Sequence, residues 1–373
     1  MKKINVAVIM GGPSVERDVS LNSGGQVLSH LNPSKYDAFP VEISKDGRWL
    51  VGVEKTPLFM PWSHSTERLL NETDAALAIE KTLGREAVSR PDAEKAANLI
   101  KNADVAYLAL HGAVGEDGCL QGLFETINFP YTGSGVLASA LAMDKIRAKQ
   151  IFQQWGIPTP KSLVYSDADF EKHCNNIFDE VENWIGFPCV VKSSSLGSSV
   201  GVSICKTKLD LKASFEKSFY YGPQVLIEEF IKGVEVTCGV LDRTEGRAPI
   251  ALPVTEISCP EETFFDYKIK YTKGAAREIT PARLDSDTTK LVQDQALKVH
   301  KSIGCFGMSR TDMIIKDGVA FVLETNTLPG MTQTSLLPQG AAAMGMNYPE
   351  LLDNIIETAL ERHQTKLKYS KRI

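Results

Sequence analysis

Arg310 and Asp312 stand two residues apart in SRTDMIIK, and Glu324 and Asn326 stand two apart in AFVLETN, with Asp317-Gly318 between the two runs. An Asp-Gly pair flanked by apolar residues favours a tight type I′ turn, so the spacing predicts a β-hairpin. Side chains alternate along a strand, so each pair shares a face and the hairpin gathers all four into one polar cluster. Asp, Glu and Asn offer only oxygen ligands, the set a hard divalent ion such as Mg²⁺ prefers when it also holds substrate phosphates. The competing reading is a solvated sheet face on which Arg310 merely pairs Asp312. Against it, two carboxylates on otherwise apolar strands are costly unless an ion or ligand satisfies them. Downstream, Pro329-Gly330 allows a sharp turn with close backbone approach, and Ser335-Leu336 opens the next element with a hydroxyl and N–H donors suited to carboxylates and oxyanions. The whole array points to chemistry on a phosphorylated, negatively charged intermediate.

Other elements must bring partners to this hairpin. INVAVIM reads as a buried strand running into Gly11-Gly12, and a helical apolar pattern begins at about Val19, with Glu16 at the junction where α/β folds place ligand groups. VAYLAL ends in HGAVGEDGCLQG, which puts His111 at the carboxyl end of a second strand. The stretch FPYTGSGVLASALAMDKIRAKQIFQQWG predicts one helix ending at Gly156. Its Gly-Ser-Gly resembles a dinucleotide fingerprint but lacks the acidic residue about 20 positions on. VVK is a strand ending in Lys192, followed by SSSLGSSVG, a Gly/Ser loop with hydroxyls and N–H groups able to wrap phosphates, with a plain surface loop as the alternative. VLIEEFI reads as an apolar strand with paired acids that could serve as a hinge against an adenine edge. TFFDYKIKYTKGAAREITPARL reads as an aromatic and basic lid, and DSDTTKLVQDQALKVHKSIG as an amphipathic helix.

Length and composition set outer bounds. At 373 residues the chain exceeds what one hydrophobic core usually supports, so two or three domains are expected. With 43% hydrophobic and 23% charged residues it is globular, and a net charge of −5 argues against nucleic acid as a partner. No apolar run approaches the roughly 18 residues of a membrane span, and the N-terminus turns to glycine too early for a signal peptide, so a cytoplasmic protein is expected. The seven cysteines lack metal-ligand spacing and read as reduced thiols, Cys119 beside the GEDG turn being the one to check for reactivity. Residues 54–103 look like a polar insertion, and KLKYSKRI like a solvated helix end.

The motifs GGPSVERDVSLNSG, LHGAVGEDGCLQG, YTGSGVLASALAMDK, KSSSLGSSVGVS, DYKIKY, SRTDM and LETNTLPGMTQTSLLP, in this order, resemble those of the D-alanine:D-alanine ligases of the ATP-grasp superfamily over nearly the whole chain. The resemblance implies an α/β, ATP-grasp architecture of three domains, here residues 1–133, 134–232 and 233–373, with ATP between the sheets of the central and C-terminal domains. It implies that Lys145, Lys192 and Ser199 contact phosphates, that Glu228, Glu229, Phe230 and Ile231 hold the adenine, and that Glu235 holds the ribose. Asp312, Glu324 and Asn326 would bind two Mg²⁺, which Mn²⁺ can replace. Glu16 and His111 would place the first D-alanine, and Lys270, Ser335 and Leu336 the carboxylate of the second. Arg310 and the Gly330 N–H would stabilise an oxyanion, and Tyr271 would join Glu16 and Ser198 in a hydrogen-bonded triad. The implied activity is ATP-dependent joining of two D-alanines through an acyl phosphate, by a cytoplasmic homodimer free of nucleic acid and membrane. A ligase with another acceptor, D-lactate or D-serine, and a catalytically silent nucleotide-binding module are the alternatives. Two positions depart from the family pattern: Ser193 stands where proline is usual, and Glu229 where many members have lysine.

Overall fold

The computed structural model describes residues 2–47, 49–51, 102–194, 201–258 and 277–370. The insertion at 54–103 therefore lies almost wholly outside the described residues.

Three sheets are present among them. The first has the order β3-β2-β1-β4, where β1 is Ile4–Gly11, β2 Tyr36–Ile43, β3 Trp49–Val51 and β4 Val105–Leu108. β1 runs parallel to both β2 and β4, and Val6 to Ile9 together with Val105 to Leu108 are buried, as strands covered on both faces should be. Helix α1 (Arg17–His30) packs on β1 through Ser20, Ser23, Gly24 and Val27 rather than through the apolar stripe expected from Val19 onward. The small residues permit a close approach: a Cβ on Gly24 would lie 2.8 Å from Met10. They also carry hydroxyls inward. Ser20 Oγ accepts from the Gly11 N–H at 2.8 Å and donates to the Ala109 carbonyl at 2.7 Å, tying the ends of β1 and β4 together.

Helix α2 (Cys119–Thr126) follows, starting with an exposed Cys119. The next stretch is two helices, α3 (Val136–Met143) and α4 (Lys145–Gln154), not the single one predicted. Asp144 breaks the run because its backbone is extended and its side chain accepts from the Ile146 and Arg147 N–H groups, capping α4.

The second sheet, β5-β8-β6-β7, is antiparallel: β5 is Ser162–Ser166, β6 Cys189–Ser193, β7 Ser203–Cys205 and β8 Gln224–Glu229. Helices α5 (Asp167–Trp184) and α6 (Leu211–Phe219) cover it with stacked aromatic rings, Phe170 lying 5.0 Å from Phe215. The third sheet has the order β12-β11-β9-β13-β14, with β10 beside β9. Its strands are β9 (Val234–Leu241), β10 (Ile250–Ala251), β11 (Thr255–Ser258), β12 (Arg277–Ile279), β13 (Met308–Lys316) and β14 (Val319–Asn326). Helix α7 (Ser286–Ile303), capped by Asp285 as its sequence suggests, covers this sheet together with α3 and α4.

Asp317 and Gly318 both have positive φ, 49° and 75°, the signature of the expected type I′ hairpin between β13 and β14. Helix α8 (Leu336–Ala343) starts at Ser335, and the final helix α9 (Tyr348–Ser370) returns across the molecule. Leu351, Leu352, Ile355 and Ile356 of α9 are fully buried in the same core as β1 and β4. Farther along α9, the Arg362 guanidinium lies between the rings of Tyr131 and Phe306, at 4.6 and 4.5 Å, and donates to the Gly133 and Tyr131 carbonyls.

Candidate active site

The hairpin places its four polar residues in register. Arg310 pairs with Asn326 and Asp312 with Glu324 across β13 and β14, while Thr237 on β9 faces Asp312 from the other side. An irregularity between Asp312 and Met313 leaves Leu323 as an extra residue on β14, a bulge of the kind that re-aims side chains near functional sites. Asp312 is the hub. Its Oδ1 accepts from Thr237 Oγ1 at 2.6 Å and from Arg310 Nε at 3.0 Å; its Oδ2 accepts from Arg310 Nη2 at 2.9 Å and Asn326 Nδ2 at 3.4 Å. Burial acts to lower the Arg310 pKa, but Asp312, with Glu324 and Glu116, overcomes it and holds the guanidinium firmly charged. The Arg310–Asp312 pair is thus real, yet it lies in a buried cluster and not on a solvated face.

Lys145, the first residue of α4, reaches Glu324 with its Nζ 3.2 Å from Oε2, and its backbone N–H donates to the Ser194 carbonyl at the root of the Gly/Ser loop. One turn later Lys149 pairs with Glu228 Oε1 at 2.7 Å, and Lys192 on β6 pairs with Glu228 Oε2 at 2.6 Å. Burial acts to raise the Glu228 pKa, but the two lysines win and hold the carboxylate below its usual range. Glu229 points the other way on β8, where Oε1 accepts from the Lys161 N–H at 3.0 Å. Phe230 and Ile231 continue from β8 into the short crossover to β9, where Glu235 sits opposite Ile314. That crossover is tight: a Cβ on Gly233 would come within 2.1 Å of the Ile315 carbonyl oxygen. Ser193 Oγ is buried with no hydrogen-bond partner among the described residues.

A second cluster lies at the carboxyl ends of β1 and β4. His111 is buried, its Nδ1 3.0 Å from the Leu328 carbonyl and its Nε2 3.2 Å from Ser23 Oγ. A carbonyl only accepts, so Nδ1 carries the hydrogen and Nε2 is left as acceptor in the neutral ring. Burial lowers the His111 pKa, which favours that neutral ring, although Glu16 opposes it. Glu116 accepts from the Gly112 N–H at 2.8 Å and the Leu328 N–H at 3.2 Å. Burial, helped by the nearby Glu16 charge, pushes its carboxyl up to about 8. Glu16 itself stands at the start of α1, and a Cβ on Gly112 would lie 3.0 Å from its Oε2. The loop after β14 joins this cluster, since the Met331 N–H donates to Ser23 Oγ at 3.2 Å. Gly330 lies so close to Ser335 that a Cβ there would sit 3.0 Å from the hydroxyl. Ser335 Oγ does not cap α8; it bonds Thr332 at 2.7 Å, beside the Leu336 N–H at the helix start.

Most of the predicted site residues therefore form two groups: Lys145, Lys192, Glu228, Arg310, Asp312, Glu324 and Asn326 between the second and third sheets, and Glu16, His111 and the loop through Gly330, Ser335 and Leu336 near the carboxyl ends of β1 and β4. Glu229 turns away toward Lys161, Phe230 and Ile231 lie in the crossover from β8 to β9, and Glu235 lies at the start of β9. Arg310 links the two groups, paired with Asp312 and near Glu324 on one side and lying within reach of Glu116 on the other. Ser198, Ser199, Lys270 and Tyr271, with most of the expected lid, lie outside the described residues. Sequence reasoning missed Ser23, Glu116, Lys149 and Thr237. Lys149 carried a signal, being four residues after Lys145 on one helix face, and Glu116 lay in a motif already singled out. Thr237 carried none, because only the strand register places it opposite Asp312.

Two family models match most of the chain: "D-ala D-ala ligase N-terminus" over residues 5–134 and "D-ala D-ala ligase C-terminus" over residues 151–357. The chain belongs to the D-alanine–D-alanine ligase family. The ligase of Leptospira biflexa is 40% identical over 96% of this chain and 100% of its own length, and that of Bacillus pumilus 37% identical over 98% of each. Among solved structures, the Coxiella burnetii D-alanine–D-alanine ligase superposes with a TM-score of 0.81 at 28% identity, covering 100% of this chain and 98% of its own. The Bacillus anthracis ligase complexed with ATP gives 0.72 at 34% identity, covering 97% and 99%. The Enterococcus faecalis VanG D-Ala:D-Ser ligase gives 0.79 at 31% identity, covering 96% and 100%. The fold of this ligase family member is thus the ATP-grasp α/β architecture expected from its motifs.

Proposed function

We propose that this chain joins two D-alanine molecules into D-alanyl-D-alanine at the expense of ATP, through a D-alanyl phosphate, as a step toward peptidoglycan precursors. The observation that carries the reading is the Arg310–Asp312–Glu324–Asn326 register, with Lys145 on Glu324 and Lys192 on Glu228 nearby, beside a separate cluster of Glu16, His111 and the loop through Gly330 and Ser335. A carboxylate is a poor electrophile, so it must first be activated, and both the activation and the attack develop negative charge that these donors would meet.

Glu228, the backbone from Glu229 to Ile231, and Glu235 would hold the nucleoside. Lys145, Lys192 and Ser199 would neutralise its phosphates. The oxygen-only set of Asp312, Glu324 and Asn326 fits Mg²⁺; with two carboxylates it suits ions held largely by substrate phosphates, and Mn²⁺ would serve on the same donors. Two such ions would supply charge neutralisation at the transferring phosphoryl group. Glu16 would take the ammonium of the first D-alanine, with neutral His111 beside it. Lys270, Ser335 and the Leu336 N–H would take the carboxylate of the second. Arg310 and the Gly330 N–H would stabilise the tetrahedral oxyanion, each good donor contributing roughly 3–4 kcal/mol. Tyr271 and Ser198 would join Glu16 in closing the site, excluding water that would hydrolyse the acyl phosphate.

The same reading makes the protein a cytoplasmic homodimer with domains at 1–133, 134–232 and 233–373. Among the described residues no helix is long and apolar enough to cross a membrane. The test is D-alanine-dependent ADP release with the product identified by mass, D-alanine, D-serine and D-lactate competing as acceptors. Mainly D-alanyl-D-alanine is expected; a depsipeptide or D-alanyl-D-serine as main product would overturn the acceptor, and D-alanine-independent ADP release the reaction.

A further inference from the structure

Helix α4 presents two lysines one turn apart, and the proposed reaction uses only Lys145. Lys149 is 2% exposed. Its Nζ lies 2.7 Å from Glu228 Oε1 and donates to Thr159 Oγ1 at 2.7 Å, and Thr159 donates to the Val322 carbonyl at 2.8 Å. Val322 belongs to β14 of the third sheet, whereas Glu228 belongs to β8 of the second, so this one ammonium spans the cleft between them. Its pKa is lowered chiefly by burial, with Glu228 opposing, so its charge depends on keeping that partner.

Glu228 meanwhile carries two cations, Lys149 and Lys192, one more than neutrality requires. Lys192 stands next to the root of the Gly/Ser loop and is the one the phosphates would recruit. Once it turns away, a fully buried carboxylate with no other cation would take up a proton, because burial disfavours the charged form. A protonated carboxyl is also a donor, and it no longer distinguishes the 6-amino donor of adenine from the 6-oxo acceptor of guanine.

We propose that Lys149 is a positioning residue for nucleotide choice: held by Thr159, it keeps Glu228 ionised and aimed at the amino edge of adenine while Lys192 serves the phosphates. This deepens the reading that Glu228 meets the base and rests on it. Lys149 touches no substrate, so its loss should appear in nucleotide affinity and selectivity more than in the chemical step.

The experiment compares full-length K149M, K149R, T159V and E228Q with the unmodified protein, using steady-state kinetics with ATP or GTP from about pH 6 to pH 8.5. K149M should raise the KM for ATP by about tenfold or more, with a smaller fall in kcat and the KM for D-alanine nearly unchanged. Its preference for ATP over GTP should shrink by about tenfold at the acid end and recover as pH rises and Glu228 ionises. K149R should restore most of the preference, and T159V should move it in the same direction by less. An unaltered ATP KM and a pH-independent preference in K149M would overturn the proposal; if K149M does not fold, an unaltered preference in T159V does so. E228Q separates the two levels. If it binds and selects ATP like the unmodified protein, the adenine role of Glu228 falls, and the role of Lys149 with it; if E228Q is impaired and K149M is not, only Lys149 is wrongly placed.

Discussion

At the scale of single residues, the site holds two kinds of carboxyl group: those of the hairpin, which face cations, and that of Glu116, which is desolvated beside another acid. Glu324→Gln tests the first kind. It keeps volume and hydrogen-bonding capacity but removes a charge that faces Lys145 at 3.2 Å and would ligate Mg²⁺. Turnover should fall by about 10²-fold or more while the melting temperature stays within a few degrees; near-normal turnover at low Mg²⁺ would reject the metal role. Glu116 tests the second kind. Its carboxyl is pushed up to about 8 from 4.5, first by burial and then by Glu16, so the folded protein holds a proton that the unfolded chain has lost over that interval. A raised acid pKa contributes stability that is fully present below pH 4.5 and is lost as pH rises through about 8. The melting temperature of the ligand-free protein should therefore fall more between these limits than that of Glu116→Gln, which stays neutral throughout. Calorimetric scans across the interval would show it, and parallel curves for the two proteins would contradict the burial account.

Elements were read well where local chemistry dominates and less well where packing does. The Asp317-Gly318 turn follows from the need for two positive φ values, and the Asp285 cap of α7 from its acceptor side chain. The break between α3 and α4 was hidden, because apolar spacing continues through it and both helices pack on the same sheet. Asp144 makes the break and sets where Lys145 begins, with Oδ1 accepting from Ile146 and Arg147 at 3.0 and 3.1 Å. Asp144→Ala removes that cap at a cost of about 1 kcal/mol. Its effect on function should be larger than its effect on stability, since the Lys145 N–H to Ser194 carbonyl bond of 2.9 Å depends on the same helix start. A rise of about tenfold in the KM for ATP with a melting temperature lower by only a few degrees is the expected pattern. A proportionate loss of both, or of stability alone, would mean that the cap serves only the helix.

On the scale of the whole molecule, the sequence yields for α9 only a solvated helix end, KLKYSKRI, because the sheet that buries the helix's apolar face lies hundreds of residues earlier in the chain. The structure places Leu351, Leu352, Ile355 and Ile356 in one core with Val6, Val8, Tyr107 and Leu108, so the first sheet is completed by the last helix. Full burial of each such side chain contributes roughly 1.5–3 kcal/mol, and four of them together rival the about 5–15 kcal/mol that holds a typical domain folded. Residues 1–134 expressed alone should accordingly fail to form a stable domain, although a family model spans almost this segment. The sharper test keeps the chain intact. Ile355→Ala leaves a cavity against the first sheet at a cost of about 2–5 kcal/mol. Amide hydrogen exchange should then quicken over β1, β2 and β4, hundreds of residues away, and leave β6 and β8 of the second sheet protected, because their core of Phe170, Phe178 and Phe215 shares no residue with α9. Exchange that quickens equally in all three sheets would mean that the molecule opens as a single cooperative unit, and exchange confined to α9 that the helix is only an appendage.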